Sequence, residues 1–364
     1  MSTDQSASFE AHSPKADAAL HIEYSSGAPS WQAHLLRWAS RLVIKPTLNG
    51  LISLYGMIIR IGPAGIAKSP AIAIPVGAAD RLARPLRALR GSRVEVLALP
   101  GSARRIEKVS GPGVDAASDA AIVWFHGGGL VAGGFNSHRR LLSRLSRDAG
   151  VPVYSVEYRL LIEHEYLDAI ADGLDAYVSL IHRGVLPART VLGGDSGGAA
   201  IALGTALAIR DAGHASAAGL VIVSPWVDFD PTEKLADPRA GADAAIPLTG
   251  AWPIGGGILM AEHVLANSIE DASRISPINA NLSGLPPTHI HGAATEVLAV
   301  DACGLHARLL AAGVDSRLKL WHGMIHVFQL AADFVPEGAR SVAEIGSFVA
   351  DRVRTPHDGR TTQS

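Results

Sequence analysis

Gly193-Gly194-Asp195-Ser196-Gly197-Gly198 stands between the apolar run Thr190-Val191-Leu192 and a small-residue helical run over 199–212. A strand, a tight turn and a helix in that order leave few folds open. Ser196 sits at the apex, in the pattern G-x-S-x-G. A serine hydroxyl projects above a sheet from such a turn only if its neighbours lack the Cβ atoms that would strike strand and helix. The helix N-terminus that follows adds a field favourable to negative charge. The same kind of turn also suits a phosphate. The turn by itself therefore leaves a nucleophile and an anion cradle both open. The nucleophile reading needs a base, an acid and oxyanion donors from elsewhere in the chain.

The rest of the chain supplies the setting. Strands are expected at 94–98, 105–109, 121–125, 153–157, 190–194, 219–224, 288–291 and 316–321. Helices are expected at 137–149, 165–181, 197–212, 300–312 and 338–352. This alternation predicts an α/β fold, with a mostly parallel central sheet and helices on both faces. Residues 1–28 are Ser-, Ala- and Asp-rich without a sustained period and read as disordered. Residues 29–92 read as a helical cap segment. Leu35, Leu36, Trp38, Leu42 and Val43 recur at helical spacing, and Pro46 ends or kinks that helix. Further helices are expected at 51–61 and at 79–89, the latter disturbed by Pro85. This segment needs a surface to pack on, and the mouth of the catalytic domain at 93–354 provides one. Residues 229–275 interrupt the alternation just after a strand end, where α/β folds place lids. The tail 355–364 is polar.

Composition excludes several classes. With 32 Lys and Arg against 34 Asp and Glu, the formal charge is −2, so no global basic field argues for nucleic acid. Arg81, Arg84, Arg87 and Arg90 form a local cluster, read as a solvated helix face. Cys303 is the only cysteine, which rules out an intrachain disulfide. The polar start lacks an apolar signal core, and the run 51–61 is too short to span a bilayer. A cytoplasmic protein without stable membrane insertion is expected, although an amphipathic segment here could touch a membrane surface. No GxxxxGK[ST] and no helix-opening GxGxxG is present. His322 and His326 have metal-ligand spacing, but Gly323 and the preceding strand spoil the helix that HExxH needs. No cofactor and no metal is expected.

His126-Gly127-Gly128-Gly129 follows directly on the 121–125 strand. Consecutive glycines leave N–H groups free to face a ligand. Together with the N–H after the nucleophile they make an oxyanion hole of Gly127, Gly128 and Gly197. His126 reads as a residue that orients this loop. Among the later histidines (His289, His291, His306, His322, His326), His326 is preferred as base because it lies in a loop past the last strand. Glu296 is preferred as the acid. Asp301 is the alternative, otherwise explained as a charge at a helix start.

Four blocks together resemble the hormone-sensitive lipase family of α/β-hydrolase esterases. They are His126-Gly127-Gly128-Gly129, Gly194-Asp195-Ser196-Gly197-Gly198, residues 292–313 around Glu296, and Gly323-Met324-Ile325-His326-Val327-Phe328. Tyr158-Arg159-Leu160 with Glu163-His164, and Ser224-Pro225-Trp226-Val227-Asp228, look like two more. The resemblance covers about residues 93–350. It implies Ser196 as nucleophile, His326 as base and a carboxylate at Glu296. It also implies a cap built from residues 30–90 and 229–275 over an acyl pocket. Glu296-Val297-Leu298 stands where many members carry Asp-Pro-Leu, and Gly197 where the family usually has alanine. The expected activity is hydrolysis of short to medium acyl esters through an acyl-enzyme. Lactone hydrolysis is a close alternative; an amidase or a non-catalytic small-molecule binder is a more distant one. Trp252, Ile254, Ile258, Leu259 and Met260 suggest an apolar pocket or simple cap packing. The last strand and helix are candidates for pairing two subunits into a homodimer.

Overall fold

Ala121–Phe125 is an apolar run without alternation, and all five residues are buried. Such a strand must be covered on both faces. Its side chains divide accordingly. Ala121, Val123 and Phe125 join one apolar cluster, Ile122 and Trp124 another. The structure, a computed structural model, describes residues 20–50, 80–99, 104–161, 164–247 and 275–354.

In chain order the strands are β1 (Glu23–Tyr24), β2 (Arg93–Ala98), β3 (Arg105–Ser110), β4 (Ala121–Phe125), β5 (Val153–Val156), β6 (Thr190–Asp195), β7 (Gly219–Val223), β8 (Thr288–Ala293) and β9 (Ser316–Trp321). They form one sheet in the order β1-β9-β8-β7-β6-β4-β5-β3-β2. Only β2–β3 and β3–β5 pair antiparallel. The helices are α1 (Trp31–Ala39), α2 (Phe135–Ala149), α3 (Tyr166–His182), α4 (Gly197–Asp211), the short α5 (Thr232–Ala236) and α6 (Arg239–Ala242), α7 (Ala299–Ala311) and α8 (Pro336–Val353). Helices α3, α4 and α7 contribute to one core and α2 and α8 to the other, so both faces of the sheet are covered. The expected α/β-hydrolase fold is the one observed. The parallel strands also place the C-terminal ends of β4, β6, β8 and β9 at one edge of the sheet, where ligand sites of this fold class lie.

Three expectations change. Residues 20–28 were expected to be disordered, yet they carry β1, which pairs parallel to β9 at Glu23↔Lys319 and Tyr24↔Leu320. Unpaired groups on a sheet edge attract a strand, and the backbone N–H of Ser25 extends the ladder to Leu320 O at 2.9 Å. The β9 edge, a candidate for subunit pairing, is thereby partly covered. Pro46, expected to end or kink its helix, does not end it: α1 passes through a π-helical turn, Ser40–Ile44, and helix resumes across 45–50. The wide turn just before the proline is where the ladder irregularity falls, as helices with an interior proline require. Finally, residues 80–82 are helical and 83–86 are turn and bend around Pro85, so no helix runs to 89. The expected helix 51–61, most of the cap insertion (248–274, with Trp252, Ile254, Ile258, Leu259 and Met260) and the tail 355–364 lie outside the described residues.

Candidate active site

Ser196 has φ 56° and ψ −125°, a backbone conformation that L-residues avoid and that sharp functional turns impose. The flanking glycines make it possible by close approach. A Cβ on Gly194 would stand 2.3 Å from Gly198 O, and one on Gly198 would stand 2.2 Å from Phe125 O. Strand, turn and helix thus meet at distances that only glycine permits.

The three predicted catalytic side chains converge. His326 Nε2 lies 2.9 Å from Ser196 Oγ. His326 Nδ1 lies 2.6 Å from Glu296 Oε2. Glu296 follows β8 and is buried; its Oε1 accepts from the Ala293 N–H at 2.7 Å and from Ser224 Oγ at 2.8 Å. These bonds leave Oε2 for the imidazole. Burial disfavours charge on His326, but the Glu296 carboxylate outweighs it and holds the imidazole above its ordinary value of 6.5. The loop from Gly323 to Phe328 is fixed by Thr295 Oγ1 donating to Met324 O at 3.0 Å and by the Val327 N–H donating to Ser224 Oγ at 3.2 Å. Ser224 therefore touches both Glu296 and the loop of His326. Its sequence block was legible, but nothing in the sequence marked that hydroxyl as a support.

Asp301 is elsewhere. It is buried on α7 and accepts from the Val227 and Asp228 N–H groups, each at 2.9 Å, and from Lys234 Nζ at 2.9 Å. Burial pushes its pKa up, against the pull of Lys234. It ties α5 and the 227–228 strand exit to α7, and its carboxylate is fully engaged there. The other histidines are also engaged. His322 stacks on Tyr24 at 5.2 Å. His306 lies 2.8 Å from Ser316 Oγ and 2.7 Å from Leu20 O. His289 and His291 meet through their Nε2 atoms at 3.1 Å. No group of three potential metal ligands occurs among the described residues.

The oxyanion loop needs one correction. The Gly127 N–H, expected to face the substrate, donates to Asp195 Oδ2 at 3.1 Å. Asp195 is buried and also accepts from Trp124 Nε1 at 3.0 Å, and its Oδ2 lies 3.1 Å from His138 Nε2. Ser137 Oγ donates to Gly134 O and so accepts from the other ring nitrogen of His138, 2.9 Å away. His138 thus lies between a hydroxyl and a carboxylate, and the Gly127 N–H also reaches its Nε2 at 3.3 Å. Burial opposes both charges, and their mutual attraction overcomes it: His138 is held above and Asp195 below its ordinary range. This pair anchors the start of the glycine loop on the turn that bears Ser196. His126 orients the same loop, with its ring stacked on Tyr158 at 4.5 Å and its carbonyl accepting from Tyr158 Oη at 2.6 Å. The Gly128, Gly129 and Gly197 N–H groups have no acceptor among the described residues.

Gly197 also has a physical reason to differ from alanine. A Cβ there would lie 2.9 Å from Leu130 Cγ. Leu130 is fully buried at φ 64°, directly after the glycine loop.

The chain is similar to known proteins in sequence and in fold. A family model described as the alpha/beta hydrolase fold matches residues 122–330. The carboxylesterase/phospholipase LipF of Mycobacterium tuberculosis (strain ATCC 25618 / H37Rv) is 34% identical over 334 residues, covering 91% of this chain and 84% of LipF. A crystal structure of an esterase from the bacterial hormone-sensitive lipase family superposes with TM-score 0.69 at 29% identity, covering 85% of this chain and 99% of that one. The chain belongs to the hormone-sensitive lipase family of α/β-hydrolase esterases. The esterase EstE5, in a crystal soaked with ethyl alcohol, is a further structural relative of this family member, with TM-score 0.73, 30% identity and coverage of 89% and 99%. Esterase LipU, also of M. tuberculosis, is 34% identical over 279 residues, which are 76% of this chain and 93% of LipU.

Proposed function

We propose that the protein is a carboxylesterase that acts through a covalent acyl-enzyme on Ser196. The observation that carries this is the unbroken series Ser196 Oγ–His326 Nε2 (2.9 Å) and His326 Nδ1–Glu296 Oε2 (2.6 Å). Glu296 fixes the tautomer with the proton on Nδ1, which leaves Nε2 as the acceptor. Ser196 attacks the ester carbonyl as its proton passes to His326. The imidazolium forms beside a buried carboxylate, then protonates the departing alcohol. Water attacks the acyl-enzyme through the same histidine. The developing oxyanion receives the N–H groups of Gly128, Gly129 and Gly197, each worth about 3–4 kcal/mol in a site without water. Gly127 holds this loop in place through Asp195 instead of donating to the oxyanion.

The substrates in this reading are short to medium acyl esters. A fluorophosphonate probe tests the nucleophile: it labels the wild-type protein and not Ser196→Ala. Labelling of both, or of neither, sinks the proposal. A panel of p-nitrophenyl esters of graded chain length beside small and large lactones then reads the substrate class. Faster turnover of lactones would replace the ester assignment with ring opening at the same serine.

A further inference from the structure

Helix α1 faces the wrong way for a helix that only packs. Little of its apolar surface turns inward: Ala33 is buried in a cluster with Met324, Ile325 and Phe328, Leu36 packs half-buried against that cluster, and Ser40 in the turn that follows donates to Ala244 O at 3.0 Å. Trp31, Leu35, Trp38 and Leu42, spaced i, i+4, i+7, i+11, lie on the opposite side and are 71%, 53%, 62% and 57% exposed. The inner face of α1 thus covers the His326 loop while its most apolar stripe points outward.

The stripe continues. Glu337 accepts from the N–H and the hydroxyl of Ser30, the N-cap of α1, both at 2.8 Å. Phe334, three residues before Glu337, is 79% exposed. Its neighbour Asp333 pairs with Arg140, whose guanidinium also reaches the carbonyls of Arg87 and Ala88 at 3.5 and 3.4 Å. That brings in the segment 80–93, where Leu82 and Leu86 are exposed among Arg81, Arg84, Arg87 and Arg90. Residues 25–50 carry Arg37, Arg41 and Lys45 and no carboxylate, and residues 80–93 carry five arginines and one aspartate, in a chain whose net charge is −2. Positive charge thus predominates beside both groups of exposed apolar residues, with Asp333 and Glu337 as the carboxylates of the contacts that link them.

The geometry points to a lipid surface of negative charge as the partner of this strip, with the protein lying on the bilayer through α1 and Phe334. Tryptophan and leucine on one face with arginine and lysine beside them is the composition of helices that lie in a membrane interface. A second copy of the chain fits less well, because an isologous contact would set the same cations against each other. No helix among the described residues is long and apolar enough to cross a membrane, so the association is peripheral. Its place beside the His326 loop sets the site at the lipid boundary.

The test is sedimentation of the full chain with vesicles, which needs no hydrolysis and so stands apart from the esterase assignment. Vesicles containing phosphatidylglycerol should bind the protein about tenfold or more above phosphatidylcholine alone, and the excess should fall with salt. The pair Trp31→Ser/Trp38→Ser, and separately Leu35→Glu, should lower that binding about tenfold or more. Both should keep wild-type thermal unfolding and wild-type hydrolysis of dissolved p-nitrophenyl acetate, which shows that they fold. Absence of binding to acidic vesicles overturns the assignment, and so does undiminished binding of both folded variants. A dimer in light scattering that Trp31→Ser/Trp38→Ser converts to monomer, without any vesicle binding, gives the strip to a second copy instead.

Discussion

Placing alanine at Gly197 sets a single methyl against a neighbour that has nowhere to go. The added Cβ would meet Leu130 Cγ at 2.9 Å, Cδ2 at 3.1 Å and the backbone N at 3.1 Å. Leu130 is fully buried and its backbone is left-handed, so relief requires moving the glycine loop itself. Overpacking of this kind costs about 1–3 kcal/mol, offset by up to about 1 kcal/mol from the better helix propensity of alanine. Gly197→Ala should therefore lower stability by about 1–2 kcal/mol. Leu130→Ala alone should cost about 2–5 kcal/mol through the cavity it leaves. Combined, the two changes should be less destabilising than their sum by about 1–2 kcal/mol, because truncating Leu130 opens the space that the added methyl needs. Urea unfolding of the four proteins reads this coupling directly. Gly197→Ala should also lower kcat more than it changes KM, by less than the ~100-fold that follows loss of a whole oxyanion donor. Additivity within about 0.5 kcal/mol would refute the contact as the reason for glycine here.

Three further outcomes follow from the buried charges. Glu296→Ala should cut kcat about 10⁴-fold, the order seen when a triad acid is disabled, with KM little changed. Asp301→Ala should lower stability by about 3–5 kcal/mol, because it strands Lys234 and two backbone donors, while the folded fraction keeps its kcat. Equal loss of kcat in the two would undo their separation. The acid limb of kcat/KM should lie above 6.5, since His326 is the base only when neutral and Glu296 raises its pKa. Glu296→Gln should move that limb to lower pH, and an unmoved limb refutes the pairing. Last, His289 is pushed down to about 4 and His291 well below 6.5, by burial first and by neighbouring positive charge second. Their folded pKa values lie below the unfolded ones, so the unfolded chain binds more protons below pH 6.5. Stability is complete above that pH and declines as pH falls toward 4, by about 3 kcal/mol for His289. Urea midpoints between pH 7.5 and 4.5 should fall for the wild type and fall less for His289→Gln.

The fold and the meeting of Ser196, Glu296 and His326 were readable because both rest on local chemistry. Strand β4 announced itself by an unbroken apolar run, and the serine turn by glycines that the observed contacts explain. Glu296 and His326 were found by their position after strands, which the parallel topology carries to one edge. What escaped depended on distant partners. Gly127 belongs to a glycine run that looks uniform in sequence, and only the arrival of Asp195 from β6 takes its N–H away. The Ser224 hydroxyl matters because β7, β8 and the His326 loop meet around it. Strand β1 has two residues, too few for a period, and exists because β9 offers an edge. Helix α1 was recognised by its apolar spacing, yet of those residues only Leu36 packs inward, while Leu35, Trp38, Leu42 and Val43 are exposed.

The short strand β1 also sets an order of events. Glu23 and Tyr24 leave the ribosome well before their partners, and β9 offers its edge only once Lys319 and Leu320 have emerged. Until then the first strand of the chain has no edge to join. Strand β9 leads straight into the loop of His326, and its far end is clasped by Ser25 accepting from the His322 N–H at 2.9 Å and by Tyr24 stacked on that ring. The His326 loop is thus held by a strand made almost 300 residues earlier. A nascent chain can form the turn of Ser196 well before it can bring His326 beside it.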